Sequence, residues 1–488
     1  MFDIYHLEKY KENNRIEAKK ALGGLPHSLW ETYSAFANTQ GGVILLGVEE
    51  SKDKSLFAID LPDRDKLIKE FWDIVNNTNK VSVNILSSRN IEKIEVDGKR
   101  VIAITVPKAE RFDKPIYIGD NPYTGTYRRN GEGDYRCTKE EIQSMIRDAS
   151  QKSQDMLVLE NMDMSVLDNE SIRSYRIRMQ NYRPGHVWED LNAEDFLYKL
   201  GAAGRGQDGK FHPTLAGLVM FGYEYEIVKE CPNYFLDYQE RMDGNTRWTD
   251  RVISTSGEWS GNIYSFYFRV YNKLIQDIKV PFKMSGGDRI DDTPIHKALR
   301  EALANCLINA DYYGRQGIVI IKDREKITFS NPGNFRIDIE EAKSGGVSDP
   351  RNNTLIKMFN LIDIGERSGS GIPKILVAWT NQGWQMPQLI ETIEPDRVTL
   401  TLNIKSGDAE TSRNATVNAT VNATVKLTNT ESAILDLIGA NNEITCNEIA
   451  QMLSKNISTI KRAIQKLKDK GLLLRIGADK DGSWKVLK

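Results

Sequence analysis

Cysteine and histidine are scarce. Four cysteines (Cys137, Cys231, Cys306 and Cys446) lie far apart with no CxxC pair, and five histidines are equally scattered among 488 residues. That spacing argues against a zinc site or a disulfide framework. Long apolar runs are missing as well, since no stretch approaches the roughly 20 residues that a membrane-spanning helix needs. The first residues, "MFDIYHLEKYKENNRIEAKK", carry no apolar segment of secretory type, so a cytoplasmic protein without a membrane partner is expected. An excess of charge of either sign is also lacking. With 66 Lys/Arg against 68 Asp/Glu the formal net charge is −2, so attraction to nucleic acid has to come from a local patch.

What is present is globular composition, 40% hydrophobic and 27% charged, in a chain too long for one core. The clearest boundary is "NATVNATVNATV" at 414–425, a four-residue repeat of small and polar residues that reads as part of a linker over 406–426. Asn414, Asn418 and Asn422 fall in N-x-T sequons, a match without weight where no secretory signal is visible. Residues 1–150 alternate helix-like and strand-like segments: a helix over "HSLWETYSAFANTQGG", then strands "VILLGVEE", "RVIAITVP" and "PIYIG". Residues 151–290 form a less regular α+β connecting region, expected to pack on the next domain. Residues 291–405 hold a long helix, strands "GIVIIKD" and "KITFSNPG", a loop-rich centre, glycine-rich "ERSGSGIPKIL" and a last strand "RVTLTLNI". Residues 427–488 make a small separate module.

The long helix carries the most telling pattern. In "LREALANCLINADYY" Leu299, Leu303, Cys306, Leu307 and Ala310 share one side, while Glu301, Asn305 and Asn309 line the other. A solvated face is the ordinary explanation, but such faces are usually filled with good helix formers, and Asn is a poor one. An Asn carbonyl is a hard ligand suited to Mg²⁺ beside nucleotide phosphates, and Glu301 could take a proton from an attacking water. The glycines of "NPG" and "SGSGIP" would let backbone approach a ligand.

In this order these segments resemble the split-site ATPases of the gyrase, histidine kinase and mismatch-repair superfamily (the Bergerat or GHKL fold), and more closely its divergent branch in bacterial DNA-binding regulators. The resemblance implies ATP and Mg²⁺, with Glu301 as catalytic base and Asn305 as the Mg²⁺ ligand. It places Asn331 where the superfamily reads adenine with Asp, Gly333, Gly369 and Gly371 beside the nucleotide, and Arg351 on a lid loop within reach of phosphate. Asn331-Pro332-Gly333 departs from Asp-x-Gly-x-Gly, and Asn309 stands where relatives often have His. Weak ATPase activity is one expectation, and a degenerate fold that binds nothing is the other.

Near the amino terminus, Glu17-Ala18-Lys19, Phe36-Ala37-Asn38-Thr39, Gly41-Gly42 and Gly47-Val48 resemble the Schlafen/AlbA-like domain of bacterial transcriptional regulators. The resemblance implies nucleic-acid binding, for which "TYRRNGEGDYRC" offers Arg128, Arg129 and Arg136 beside Tyr127 and Tyr135. A solvated basic hairpin is the alternative. Some Schlafen proteins are nucleases that use clustered carboxylates, and Glu12 and Glu17, with Glu49, Glu50 or Asp53 as a third, have similar spacing.

The last module reads as three helices and a hairpin, a winged helix-turn-helix. Ile457, Ile460, Ile464 and Leu467 would face its core, leaving Ser458, Thr459, Lys461, Arg462, Gln465 and Lys466 for DNA. From Lys455 onward ten Lys/Arg stand against three Asp/Glu. A winged helix used for protein contact is the alternative. The expectation is a multidomain α+β protein: a Schlafen/AlbA-like domain, a GHKL-like α/β sandwich and a winged helix. As a homodimer it would control transcription on DNA, with ATP as a candidate gate; the competing class is an ATP- or metal-dependent nuclease.

Overall fold

The computed structural model describes residues 13–404 apart from 243–246, 277, 279–282, 286–287, 291–292, 366–368 and 394. In the last module it describes 434, 437–438, 444–453, 455–469, 473–476 and 483–486. The chain forms two compact units, Met1–Gly407 and Asp408–Lys488.

The first unit begins with β1 (Ile16–Lys19), α1 (Ser28–Asn38), β2 (Gly42–Leu46), α2 (Arg64–Val75), β3 (Ile91–Val96) and β4 (Lys99–Val106). The strands lie in the order β1-β2-β4-β3, with β1 parallel to β2 and the other pairs antiparallel. Leu29, Tyr33 and Phe36 of α1 pack on Ile44, Leu46, Ile102 and Ile104 in one core. The passage from α1 into β2 needs glycine: Gly41 has φ +73°, and a Cβ there would lie 2.7 Å from the Val106 carbonyl oxygen.

The strand expected over "PIYIG" does not form. Asn38 accounts for this: its Oδ1 accepts from Ile116 N–H at 2.9 Å, while its Nδ2 donates to Ile116 O at 2.7 Å and Tyr127 O at 3.0 Å. The side-chain amide stands where a neighbouring strand would pair, leaving isolated bridges at Tyr117–Thr126 and Val81–Ile118. A hairpin, β5 (Tyr127–Asn130) and β6 (Gly133–Arg136), and α3 (Lys139–Ala149) complete this part.

Then come α4 (Asn169–Tyr182), α5 (Leu215–Phe221), β7 (Leu236–Arg241), β8 (Asp250–Ile253), α6 (Ile263–Ile275) and α7 (Pro294–Ile308). They are followed by β9 (Ile318–Asp323), β10 (Lys326–Pro332), α8 (Ile339–Ser344), α9 (Asn353–Leu361), α10 (Gly371–Asn381), β11 (Gln388–Ile393) and β12 (Asp396–Asn403). Six strands make one sheet in the order β8-β7-β9-β10-β12-β11, in which β7 and β9 are parallel. A single core runs from Leu159 to Leu402, so both sheet and core cross residue 290. Period-two alternation in β9 turns Ile318, Ile320 and Lys322 inward. The buried Lys322 ammonium donates to Lys273 O and Gln276 O at 2.7 Å each, satisfying carbonyls at the end of α6.

The second unit contains α11 (Cys446–Met452), α12 (Ile457–Asp469) and the antiparallel pair β13 (Leu473–Ile476) and β14 (Ser483–Val486). Ile434, Ile438, Ile449, Ile460, Ile464, Leu467 and Leu473 form its core. Ile457, expected inside, is 38% exposed, because it opens α12 beyond the reach of that core. Among the described residues no helix is long and apolar enough to cross a membrane.

Candidate ligand cleft and nucleic-acid surfaces

α7 opens on Thr293-Pro294, where Thr293 and His296 cap each other and proline takes the first helical position. Its Leu299, Leu303 and Leu307 enter the core. Glu301, Asn305 and Asn309 are half-buried and line a cleft closed by β10, β12, the 334–351 segment and the start of α10. The asparagine stripe therefore faces a cleft and not bulk water. That cleft is walled by Phe329, Ile375, Val398 and Leu400. Asn305 Nδ2 donates to Glu301 Oε1 at 3.2 Å. Asn309 ends the helix, and Asn331 Nδ2 donates to its backbone oxygen at 3.5 Å and to Pro332 O at 3.2 Å.

The groups expected to meet phosphate are arranged otherwise. Arg351 is 5% exposed, with Nε donating to Asn309 O at 3.2 Å, Nη2 to Asn334 O at 3.0 Å and Nη1 paired with Asp148. A Cβ on Gly333 would lie 2.9 Å from that guanidinium, so this glycine (φ +99°) makes room for Arg351. At Gly369 a Cβ would meet Val347 O at 2.4 Å. At Gly371, the first residue of α10, it would meet Glu301 Oε1 at 2.1 Å and Asn305 Nδ2 at 2.9 Å. Three bare α-carbons are thus approached by protein. ATP with Mg²⁺, implied by the fold resemblance, fits the apolar chamber beside Asn331 but not this packed end.

Sequence reasoning missed the residues that tie this cleft to the N-terminal part. Asp148, at the end of α3, receives Arg351 and stands 3.6 Å from Arg336 Nη2. Arg111 donates to Asp148 O at 2.7 Å and, through Nη2, to Asp349 Oδ1 at 3.2 Å. Arg147 pairs with Asp311 at 3.0 Å. Burial alone would raise the Asp311 pKa, but Arg351 and Arg147 hold it below its usual value. Asp155, fully buried, accepts from Thr354 N at 2.7 Å and Leu355 N at 3.0 Å, capping α9 from 200 residues away, a distance that leaves no local signal. Burial keeps its pKa raised despite those bonds.

In the N-terminal hairpin the three expected arginines part company. Arg129 is buried between Glu17 at 2.8 Å and Asp134 at 2.9 Å, and is a structural cation rather than a surface contact. Arg128 is largely covered and lies 3.2 Å from Glu141. Arg136 remains exposed beside exposed Tyr135, its Nε donating to the Tyr127 hydroxyl at 3.4 Å. Of the carboxylates considered for nuclease chemistry, Glu12 lies outside the described residues. Glu17 is held by Arg129 and by Lys19 at 2.6 Å, Glu49 pairs with Lys20, and Glu50 and Asp53 are exposed. Among the described residues no three His, Cys, Asp or Glu side chains converge as a metal site. On α12, Ser458, Thr459, Lys461 and Arg462 are exposed, whereas the side chains of Gln465 and Lys466 lie outside the described residues.

The described residues thus form a four-stranded α+β domain, a six-stranded mixed sheet beside a cleft, and a small module of two helices and a hairpin, which places the chain in the class of multidomain α+β proteins. Residues 12–138 match the family "Schlafen, AlbA_2" and residues 316–402 the family "Putative ATP-dependent DNA helicase recG C-terminal". Residues 427–473 match "Winged helix-turn-helix DNA-binding", and 143–237 match a domain of unknown function. Along the chain these matches run from a Schlafen/AlbA-type domain through a RecG C-terminal-type ATPase-like domain to a winged helix. No curated protein matches it significantly. A solved N-terminal domain of a RecG-related protein from Nitrosomonas europaea is 31% identical over 28% of this chain and 95% of its own, with TM-score 0.23. The DIP2311 protein from Corynebacterium diphtheriae is 15% identical over 97% of this chain and 95% of its own, with TM-score 0.44.

Proposed function

We propose that the protein is a DNA-binding transcriptional regulator whose hold on DNA answers to a nucleotide in the α7–α10 cleft. The observation that carries the DNA reading is α12, which buries Ile460, Ile464 and Leu467 and exposes Ser458, Thr459, Lys461 and Arg462 on a basic module. Support for nucleotide gating comes from the match of residues 316–402 and from the placement of Glu301, Asn305 and Asn331 around one cleft. That cleft shares Arg336 and Arg351 with the ionic contacts to Asp148 of α3, and Asp349 with the contact to Arg111, which offers a route from ligand to the N-terminal domain. Fluorescence anisotropy with labelled duplex DNA tests the first part. Arg462→Ala should weaken binding about 5- to 150-fold, the equivalent of a contact worth roughly 1–3 kcal/mol, with the melting temperature unchanged. A chain ending at Gly407 that binds DNA as tightly as the full chain would refute the assignment.

A further inference from the structure

We infer that the outer faces of α4 and α6 form a binding surface for single-stranded DNA, which stands whether or not α12 reads duplex.

Both helices interleave arginine with aromatic residues, as "RSYRIRMQNYR" over 173–183 and "YSFYFRVYNK" over 264–273. The core accounts for one part of that pattern, since Tyr175, Tyr264, Phe266 and Tyr267 are buried in it. What remains outside is cationic. The two helices carry Arg173, Arg176, Arg178, Arg269 and Lys273 against Glu170 alone, in a chain of net charge −2.

Ser171 Oγ lies 3.2 Å from Ser265 Oγ, Ser174 Oγ lies 2.9 Å from the Tyr264 hydroxyl, and Arg178 meets Phe268, so the helices run side by side in one direction. At that last contact the guanidinium carbon stands 3.7 Å from the centre of the ring, which is stacking distance. Next to it Arg269 is exposed, 5.4 Å from the centre of the Trp259 ring. Arg173 is exposed too, and Ile177 and Tyr182 are 48% and 52% exposed. β8 is tied to α6 by the Lys273–Asp250 pair and by Trp259 Nε1 donating to Ile253 O at 3.1 Å. Just before β8, Trp248 has the guanidinium groups of Arg247 and Arg251 each 4.7 Å from its ring centre.

The acidic groups here leave most of that charge uncovered. Asp250 is engaged by Lys273 and Asp237 by Arg251, while Glu170 and Glu258 are exposed. Among the described residues Arg173, Arg178 and Arg269 form no ion pair. A guanidinium lying flat on a ring keeps its N–H edges for phosphate and its outer face for a base. Duplex DNA hides its base faces, and an acidic peptide would use the charge but not the rings. A single strand uses both.

Fluorescence anisotropy of the full-length protein with labelled oligothymidylate and labelled duplex tests this. The double variant Arg178→Ala/Arg269→Ala should weaken oligothymidylate binding at least about 10-fold and reduce its log–log salt slope by about 1.4, the share of two phosphate contacts. Duplex affinity should move less than about 2-fold, because paired bases cannot reach the rings. Arg269→Ala alone, at an exposed position, should carry part of the loss with the melting temperature unchanged. Arg178→Lys keeps the charge without the planar stack and should recover only part of it. Unchanged oligothymidylate affinity in the double variant, or equal losses for both DNAs, would overturn the inference. Full recovery by Arg178→Lys, with polyglutamate displacing the oligonucleotide, would overturn it in favour of an acidic protein partner.

Discussion

Single polar side chains decide much of this structure. Asn38 replaces a strand's worth of pairing with one amide, so Asn38→Ala leaves Ile116 N–H and O and Tyr127 O without it. The expected loss is about 3 kcal/mol or more in urea denaturation, since each buried group left unsatisfied costs roughly 1–3 kcal/mol; a loss below about 1 kcal/mol would mean that water takes the place of the amide. Asp396, at the start of β12, behaves differently. Burial, reinforced by Glu141 and Glu391 nearby, raises its carboxyl to about 6, against the opposing pull of Asn334 and Arg351. A raised folded-state pKa gives stability that is complete below the unfolded value near 4 and is lost as pH rises through 6. Relative to wild type, Asp396→Asn should therefore gain on the order of 2–3 kcal/mol between pH 4 and pH 7.5. Denaturation midpoints at the two pH values read this difference directly, and an identical offset at both would contradict the assignment. Neither role is visible in sequence, where Asn38 belongs to a turn-like "NTQGG" and Asp396 to an unremarkable strand start.

At the level of elements the sequence is more legible. The amphipathic helices α7 and α12 and the strands β9, β10 and β12 lie where their periodicity puts them, because one buried face leaves a repeating mark. The cleft-facing stripe of α7 is readable because asparagine is a poor filler for a merely wet helix face. Less legible are elements whose partners are remote: α9, capped by Asp155 from the far side of the unit, and β11, an edge strand with little alternation. The four described contact candidates of α12 are readable, while Ile457 is misplaced by its spacing because periodicity does not say where a core ends. In this module Ile464→Ala should cost about 2–5 kcal/mol, as a truncation within a close-packed cluster. Ile457→Ala, at a 38% exposed site, should cost less than about 1 kcal/mol. Melting both variants in the full-length chain separates them, and equal losses would place Ile457 back in the core.

For the molecule as a whole, the glycines whose spacing suggests phosphate approaches accommodate Arg351, the Val347 carbonyl and Glu301 instead, because spacing records that a close approach occurs but not what approaches. The contacts from Arg111 and Asp148 to Asp349 and Arg351 have a consequence for descent. A domain hung on a loose tether can be exchanged between genes as a cassette. Here an exchange ending near residue 150 would have to bring along matching charges some 200 positions downstream, or leave a buried guanidinium without its carboxylate. The N-terminal domain and the cleft domain are therefore expected to be inherited as one block. A swap of Asp148 should be tolerated only alongside a compensating change at Arg351.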